Sequence, residues 1–544
     1  MESVYESALF EIGSNGKFQK YFDVFYNFTF PILWTLAYCN IILVLTIIPH
    51  SCELPLKPSN VTEIYWKNKY IPIVEDSAGN LGHSYCLTYT NPHESNSTTG
   101  CKAYIYNKTW YESTIASVNN WVCDDEIYVA NVFAYSRIGE AIGSILFGWF
   151  GDIYGRRLTY IISLSLLLIG RLISIIGSHS FVIFVIGCII SCLPSWSAVQ
   201  SAIVISMEIS APERRSITAT LRTIAFSAGM SILPLLYWWL REWKSFMIIT
   251  TLAPLPFFLL SWKLIESPRW LWLRNETEYS IEQLQKIANV NHSKLKDDTM
   301  DLIRTTPPPK EDQVLGPLSL FSGWVLAKNT SLQLYLWLAV SLSYMVLILS
   351  IGSKTDGNPF LDFAWQSFIE IPGTFIGTWL ADSLGRRYTG ALSYFLSSLM
   401  WILHIIKEIG KVTWLQNWWV GWIAVIFNRL CITVAYYAIY LCNMELYPTC
   451  LRQSGMALGN VFSSGACAFA AYLIYVGHNI DAKIPGVTLV IVSIGGLVAS
   501  LLLPETLNTK LPETLSDAQN VGKDNPKYTI VPTNKNETLC KVND

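Results

Sequence analysis

The chain alternates between long apolar runs and short polar breaks, and the runs have the length that a bilayer demands. About 20 apolar residues in a helix, at ~1.5 Å per residue, cover the ~30 Å hydrocarbon core of a membrane. Twelve runs reach that length, near 22–48, 127–150, 158–177, 181–206, 216–239, 245–265, 332–352, 360–381, 388–407, 416–443, 453–477 and 485–503. Two are less regular: 388–407 ends in charge, and 453–477 is rich in small residues. The pattern predicts an all-α membrane protein of twelve spanning helices. Residues 1–20 are polar, and the run after them is too long for the core of a cleavable signal, so it is expected to act as an uncleaved anchor.

The polar stretches divide the chain. Residues 1–21 precede the first run, 22–265 hold six runs and the loop 49–126, 266–331 link to a second set of six at 332–505, and 506–544 form a polar tail without periodicity, expected to be disordered. The loop 49–126 carries Cys52, Cys86, Cys101 and Cys123 beside the sequons at Asn60, Asn96 and Asn107. An even cysteine count next to glycosylation acceptors points to an oxidising, extracellular loop held by disulfides, with three pairings open. The linker is rich in Lys and Arg, which places it in the cytoplasm by the positive-inside bias, and Ile281, Leu284, Ile287 and Ala288 predict a surface helix over Ser280–Asn291. Arg156-Arg157, Arg214-Arg215, Arg386-Arg387 and Arg452 fall on that same side. Both termini are thus expected in the cytoplasm of a multi-pass plasma-membrane protein.

Composition agrees with the runs. Charged residues make up 14% of the chain against 51% hydrophobic ones, where soluble domains carry charge on about a quarter. The 21 tryptophans suit belts at the membrane–water boundary. A net charge of −2 offers nothing to nucleic acid. The seven histidines fall at no metal-ligand spacing, and neither a nucleophile elbow nor a phosphate-binding glycine loop occurs, so an enzyme, a metal site and a cofactor are not expected.

The two sets of six repeat one another. Glu140, Gly143, Asp152, Gly155, Arg156 and Arg157 recur 230 positions later as Glu370, Gly373, Asp382, Gly385, Arg386 and Arg387, with Ala381 standing where the first half has Gly151. Glu208 and Arg215 recur 237 positions later as Glu445 and Arg452, and Glu266 of the first half answers to Glu505. Three echoes in the same order identify a duplication. Asp152, Arg156, Arg157, Glu208, Arg215 and Glu266, mirrored by Asp382, Arg386, Arg387, Glu445, Arg452 and Glu505, form a candidate cytoplasmic gate of ion pairs. Pairs that break and reform suit two halves rocking about a central site, which disfavours a channel.

On these residues the chain resembles the major facilitator superfamily, whose signature is a Gly-Asp…Gly-Arg-Arg turn in each half. Within it the chain resembles the organic cation, carnitine and organic anion transporters (solute carrier family 22), through FEIGSNGKFQ, NNWVCDD, ESPRWL, IEIPG, ELYPTCLRQSG and LLLPET…LPET. The resemblance implies a central cavity that opens alternately to each side and a cargo of amines, quaternary ammonium ions, carnitine-like zwitterions or organic anions. Sugar-type uniporters, which share ESPRWL-like and PET motifs, and a sensor that transports nothing are the alternatives.

Charged side chains inside spans are costly and mark functional positions. Glu370 lies about 18 Å from the Asp382 end of its run, and by the resemblance it matches a cavity carboxylate that attracts a cation or carries a proton. Glu140 is its repeat partner, with Arg137 three residues away on the same helix face. Arg171, Arg222 and Arg429 are either anion ligands or partners of these acids. The resemblance places Ser464 where other members carry a selectivity charge, and Tyr344 at a cavity aromatic, with Phe360 and Trp365 as further cation–π candidates. The expected partners are a small organic solute and the lipid bilayer, with protons or the membrane potential as driver and the monomer as the working unit.

Overall fold

In lipid a backbone has no water to bond, so each apolar run closes its own hydrogen bonds as a helix. The computed structural model describes residues 4–75, 81–91, 94–210, 212–306, 317–350, 357–409, 417–447 and 449–507. Ten of its helices are long and apolar enough to cross a membrane. The second span, Ile127–Tyr154, and the eighth, Pro359–Phe368 continued by Glu370–Leu384, complete the twelve. The others are the first (Lys17–Phe22, a π-helical Asp23–Thr29, then Phe30–Val44), third (Arg156–Ile176), fourth (Phe181–Cys192 and Ser197–Glu208) and fifth (Pro212–Leu240). The sixth (Trp243–Leu252 and Leu255–Leu259), seventh (Trp324–Leu349), ninth (Arg386–Ile409), tenth (Trp418–Leu446), eleventh (Thr449–Asn479) and twelfth (Lys483–Leu502) follow.

The breaks have local causes. Pro372 cannot donate to the Phe368 carbonyl, so the eighth span divides just before Glu370. Pro194 and the left-handed Ser195 divide the fourth span, and Pro254 divides the sixth. Between the halves, the second span packs against the eleventh and the fifth against both parts of the eighth. One end of the bundle carries the paired arginines and is termed here the motif end. The opposite, loop end carries residues 49–126.

At the loop end the chain forms three two-stranded ladders, and the disulfides are Cys52–Cys101 and Cys86–Cys123. Asn60 and Asn107 are exposed, and the Asn107 side-chain oxygen accepts from the Thr109 amide at 2.9 Å. The Asn96 side chain lies outside the described residues, as do residues 508–544 of the tail.

At the motif end the linker folds as Pro268–Leu273, Thr277–Asn291 and Asp297–Thr305. Against these docks an N-terminal helix, Val4–Glu11, which the polar composition of residues 1–20 does not advertise. Tyr5, Ala8, Leu9 and Ile12 pack on Trp272, Ile281, Leu284 and Ile287 in a core separate from that of the spans. Asn291 ties the seam, accepting from the Phe18 amide at 2.8 Å and donating to the Ile12 carbonyl at 2.8 Å. Although burial pushes the Glu11 carboxyl up, the Lys296 amide, the Thr299 hydroxyl and the Lys296 ammonium together hold it below its ordinary value.

Truncating Leu284, which is fully buried in this seam, costs about 2–5 kcal/mol by the usual cavity penalty. Leu284→Ala is therefore expected to speed protease cleavage near residues 4–12, followed with an N-terminal epitope, while the spans stay intact.

Candidate functional site

The motif end is built on two glycines. Gly155 and Gly385 have φ of 96° and 91°, a left-handed conformation that favours glycine. Each precedes a spanning helix whose first amide hydrogens have no cap of their own. A distant carboxylate supplies the cap. Glu266 accepts from the amides of Arg156 and Arg157 at 3.0 Å each and from Ser267 at 2.9 Å. Glu505 accepts from Arg386 at 2.9 Å and Arg387 at 3.2 Å, and from Thr506 and Leu507 at 3.0 Å each. A β-carbon on Gly155 would lie 2.5 Å from the Glu266 carboxylate, and one on Gly385 2.3 Å from that of Glu505. Burial pushes the Glu266 carboxyl above its ordinary value against the pull of the amides, so it takes up a proton before a free carboxylate does as pH falls.

The arginine side chains continue the pattern. Arg156 reaches Asp152 at 3.3 Å and Glu208 at 3.9 Å; Arg386 reaches Asp382 at 3.6 Å and Glu445 at 2.9 Å. Ser267 donates to Glu208 and Thr506 donates to Glu445, a matched pair of hydroxyls that the sequence reading missed. Arg157 donates to the Trp262 carbonyl, whereas Arg387 lies over the Tyr388 ring. These contacts run inside one half or the other, tying the second, third and fourth spans to the linker and the eighth, ninth and tenth to the segment after the twelfth. The side chains of Arg215 and Arg452 lie outside the described residues.

A further buried ion pair joins the first, fourth and fifth spans. Asp23 accepts from Arg214 at 2.6 and 2.9 Å, from Ser206 at 2.7 Å and from Asn27 at 2.7 Å. In sequence, Asp23 reads as the edge of an apolar run and Arg214 as one of the basic residues that set orientation.

Mid-span, Glu370 stands in the first turn of the second part of the eighth span. It accepts from Arg429 Nε of the tenth span at 2.8 Å and from Ser227 of the fifth span at 2.9 Å, and Arg429 Nη2 forms an ion-pair contact with it at 2.6 Å. The Arg429 guanidinium lies 3.9 Å from the Tyr344 ring centre, so the aromatic predicted to meet a solute here meets an arginine. Arg429 is fully buried and Glu370 nearly so. Arg137 and Glu140 pair within the second span at 2.5 Å. Arg171 donates to the carbonyls of Ala37 at 3.0 Å and Tyr38 at 2.6 Å, which makes it a clamp between the first and third spans. Ser464 is buried on the eleventh span.

The halves also meet at the loop end. His478 pairs with Glu126 at 2.8 Å, Asn479 donates to Glu126 at 3.3 Å, and Tyr472 donates to Asn131 at 2.8 Å. Phe360 is fully buried between Tyr111 and Tyr237, at 4.8 and 5.7 Å between ring centres, so it serves this closure. Trp365 is exposed on the bundle surface against Phe368 and joins none of these groups. A cavity of about 70 Å³ remains there, lined by Ile42, Glu126, Phe133, Phe363, Tyr475 and His478 among others. Drug-sized ligands occupy roughly 300–1,000 Å³, so this space is too small to hold one.

Gly385→Ala is expected to lower the melting temperature more than Glu505→Gln, because it adds backbone strain of about 1–3 kcal/mol to the displaced cap. Gly155→Ala and Glu266→Gln should rank the same way in purified, detergent-solubilised protein.

Known proteins share this architecture. The pattern of the family described as "Sugar (and other) transporter" matches residues 91–516. Solute carrier family 22 member 3 of Rattus norvegicus is 28% identical over 419 residues, covering 75% of this chain and 72% of that protein. The organic cation transporter protein of Drosophila melanogaster is 24% identical over 537 residues, 95% of each chain. The human organic cation/carnitine transporter 2 is 24% identical over 493 residues, 87% of this chain and 86% of that one. Among solved structures, the major facilitator superfamily proton:xylose symporter XylE bound to 6-bromo-6-deoxy-D-glucose has a TM-score of 0.55 at 19% identity, over 74% of this chain and 93% of that one. That likeness is one of fold.

Proposed function

The chain belongs to the sugar (and other) transporter family, whose members are carriers and not enzymes, and we propose that it moves a small organic ion across the membrane by alternating access. The observation that carries this reading is the junction at Glu370. A carboxylate nearly sealed from solvent is held by an arginine of its own half and by Ser227 of the other half, at the place where the halves must separate. Relatives named for organic cations and carnitine support an ionic cargo. The loop end is closed here by Glu126–His478 and the Phe360 cluster, so the path would open next toward the motif end.

The positive-inside bias supports a cytoplasmic motif end, with both termini inside and the disulfide-bonded loop outside the plasma membrane. The capped Gly-Arg-Arg turns then act as stiff hinges that keep each half rigid while the halves rock. Each half closes its own polar contacts at that end, which favours the monomer as the working unit. Protons or the membrane potential would drive net movement.

Glu370→Gln and Arg429→Gln are each expected to cut saturable uptake per surface copy by about tenfold or more, a change of at least ~1.4 kcal/mol. Leaving one charge buried and unpaired costs about 3–5 kcal/mol, so both single variants should also melt lower. The double variant should recover the melting temperature but not the uptake. Full uptake by the double variant would make Glu370 a structural residue only.

A further inference from the structure

At the loop end, segment 107–114 joins the strand Tyr104–Tyr106 to the helix Ile115–Val118. Hydrogen bonds fasten both of its ends to the first half. The Asn107 amide donates to the Pro49 carbonyl at 2.9 Å, just after the first span. Thr114 caps the helix by accepting from the Ser117 amide at 3.1 Å, and Asn119 beyond it donates to the Ser178 carbonyl, between the third and fourth spans, at 3.1 Å. The middle of the segment lies on the turn between the fifth and sixth spans. Arg241 Nη2 donates to the carbonyls of Lys108 and Thr109 at 2.7 Å each, and the Arg241 carbonyl accepts from the Glu112 amide at 2.9 Å. The Tyr237 hydroxyl donates to the Ser113 carbonyl at 2.8 Å. Arg241 has a φ of 59°, uncommon for a residue with a side chain, so this turn has one particular shape to offer the segment.

Tyr111 points the other way from its neighbours. Thr109 and Glu112 are exposed, whereas Tyr111 is buried. Its ring centre lies 5.5 Å from that of Tyr237 in the first half and 4.8 Å from that of Phe360 in the second. Phe360 stands one helical turn from Phe363, which lines the cavity of about 70 Å³ beneath. The first half thus holds the segment by directional hydrogen bonds, and the second half meets it through a ring. Parting two rings breaks no hydrogen bond, whereas lifting the segment off the first half breaks all of those above.

We propose that segment 107–114 is a strap belonging to the first half, and that its Tyr111 is the wedge that shuts the loop end against Phe360. Arg241 is the positioning residue that sets the strap in place. The mouth opens along the seam between the two rings while the strap stays on the first half, which makes the disulfide-bonded loop a working part of the gate. This rests on the alternating-access reading above.

The test reads access from the loop side and needs no known cargo. Ala130→Cys on the second span and Ala471→Cys on the eleventh each place a reporter thiol in the lining of the cavity beneath the mouth. The full chain in intact cells is exposed to a membrane-impermeant maleimide, with labelling of the parent chain subtracted, and Leu56→Cys, exposed on the loop, sets the unhindered rate. Tyr111→Ala and Phe360→Ala are each expected to raise the rate at both reporters about two- to tenfold, the range an aromatic pair confers. The double variant should add little to either, because the two rings make one contact. Arg241→Gln should raise the rate as well, and Arg241→Lys, which keeps a charged donor, should fall between it and the parent. A disulfide between Ser113→Cys and Glu242→Cys, whose backbones are bridged, should leave the rate unchanged. An unchanged rate at both reporters in Tyr111→Ala overturns the wedge and leaves alternating access standing. Loss of labelling on closing the Ser113–Glu242 cross-link shows a strap that must leave the first half, and overturns that part likewise. A lower melting temperature without a change in rate in Arg241→Gln removes its positioning role. Reporters that stay unlabelled in every variant while Leu56→Cys labels overturn alternating access and the strap with it.

Discussion

A charge taken into a bilayer must find a partner, and the arrangement of this protein follows from how each such charge finds one. Transfer of an unpaired ion into low dielectric costs several kcal/mol, whereas a paired and hydrogen-bonded one is tolerated. Glu370 is held by Arg429 and Ser227, Asp23 by Arg214, Ser206 and Asn27, and Arg171 by two carbonyls. Apart from the Asn27–Asp23 bond inside the first span, these contacts join separate spans, so the charges that are expensive to bury help fix which spans lie side by side.

The same demand shapes the helix ends. A helix beginning at Arg156 or Arg386 presents bare amide hydrogens and a positive dipole end, and the arginines add charge of the unfavourable sign. Glu266 and Glu505 answer both, and glycine leaves room for them: a β-carbon at Gly155 or Gly385 would stand where the carboxylate stands. The motif is thus a docking socket for an acid more than 100 residues away, which explains why glycine, arginine and glutamate recur together in both halves.

The twelve spans are legible because lipid imposes a length and an apolar composition that few other environments require. The acids and arginines of the motif end stand out in the sequence because duplication prints them twice. What stays hidden has physical reasons. Asp23 is neutralised by a residue 191 positions away, so its own neighbourhood reads as the start of a run. The N-terminal helix owes its stability to Trp272, Leu284 and Asn291, and its eight residues alone fall short of the length at which isolated helices form. Four cysteines permit three pairings, and Cys52–Cys101 with Cys86–Cys123 follows from how the ladders of the loop fold. The aromatic candidates illustrate the limit best: Tyr344, Phe360 and Trp365 look alike in sequence, yet one stacks under Arg429, one plugs the loop end and one faces outward.

Symmetry and its loss divide the molecule by task. At the motif end the halves match almost residue for residue, down to Ser267 and Thr506 on Glu208 and Glu445, as expected of parts that keep each half rigid. At the centre they part. Glu140 and Glu370 occupy equivalent places in the repeat, but Glu140 finds its arginine three residues away on its own helix. Movement between the halves leaves that pair untouched. Glu370 finds its arginine on another span, and its second oxygen accepts from Ser227 across the interface. That hydrogen bond is one that a separation of the halves would have to break. Only one of the two equivalent acids therefore bonds across the halves, and the eighth span is broken next to it, at Pro372.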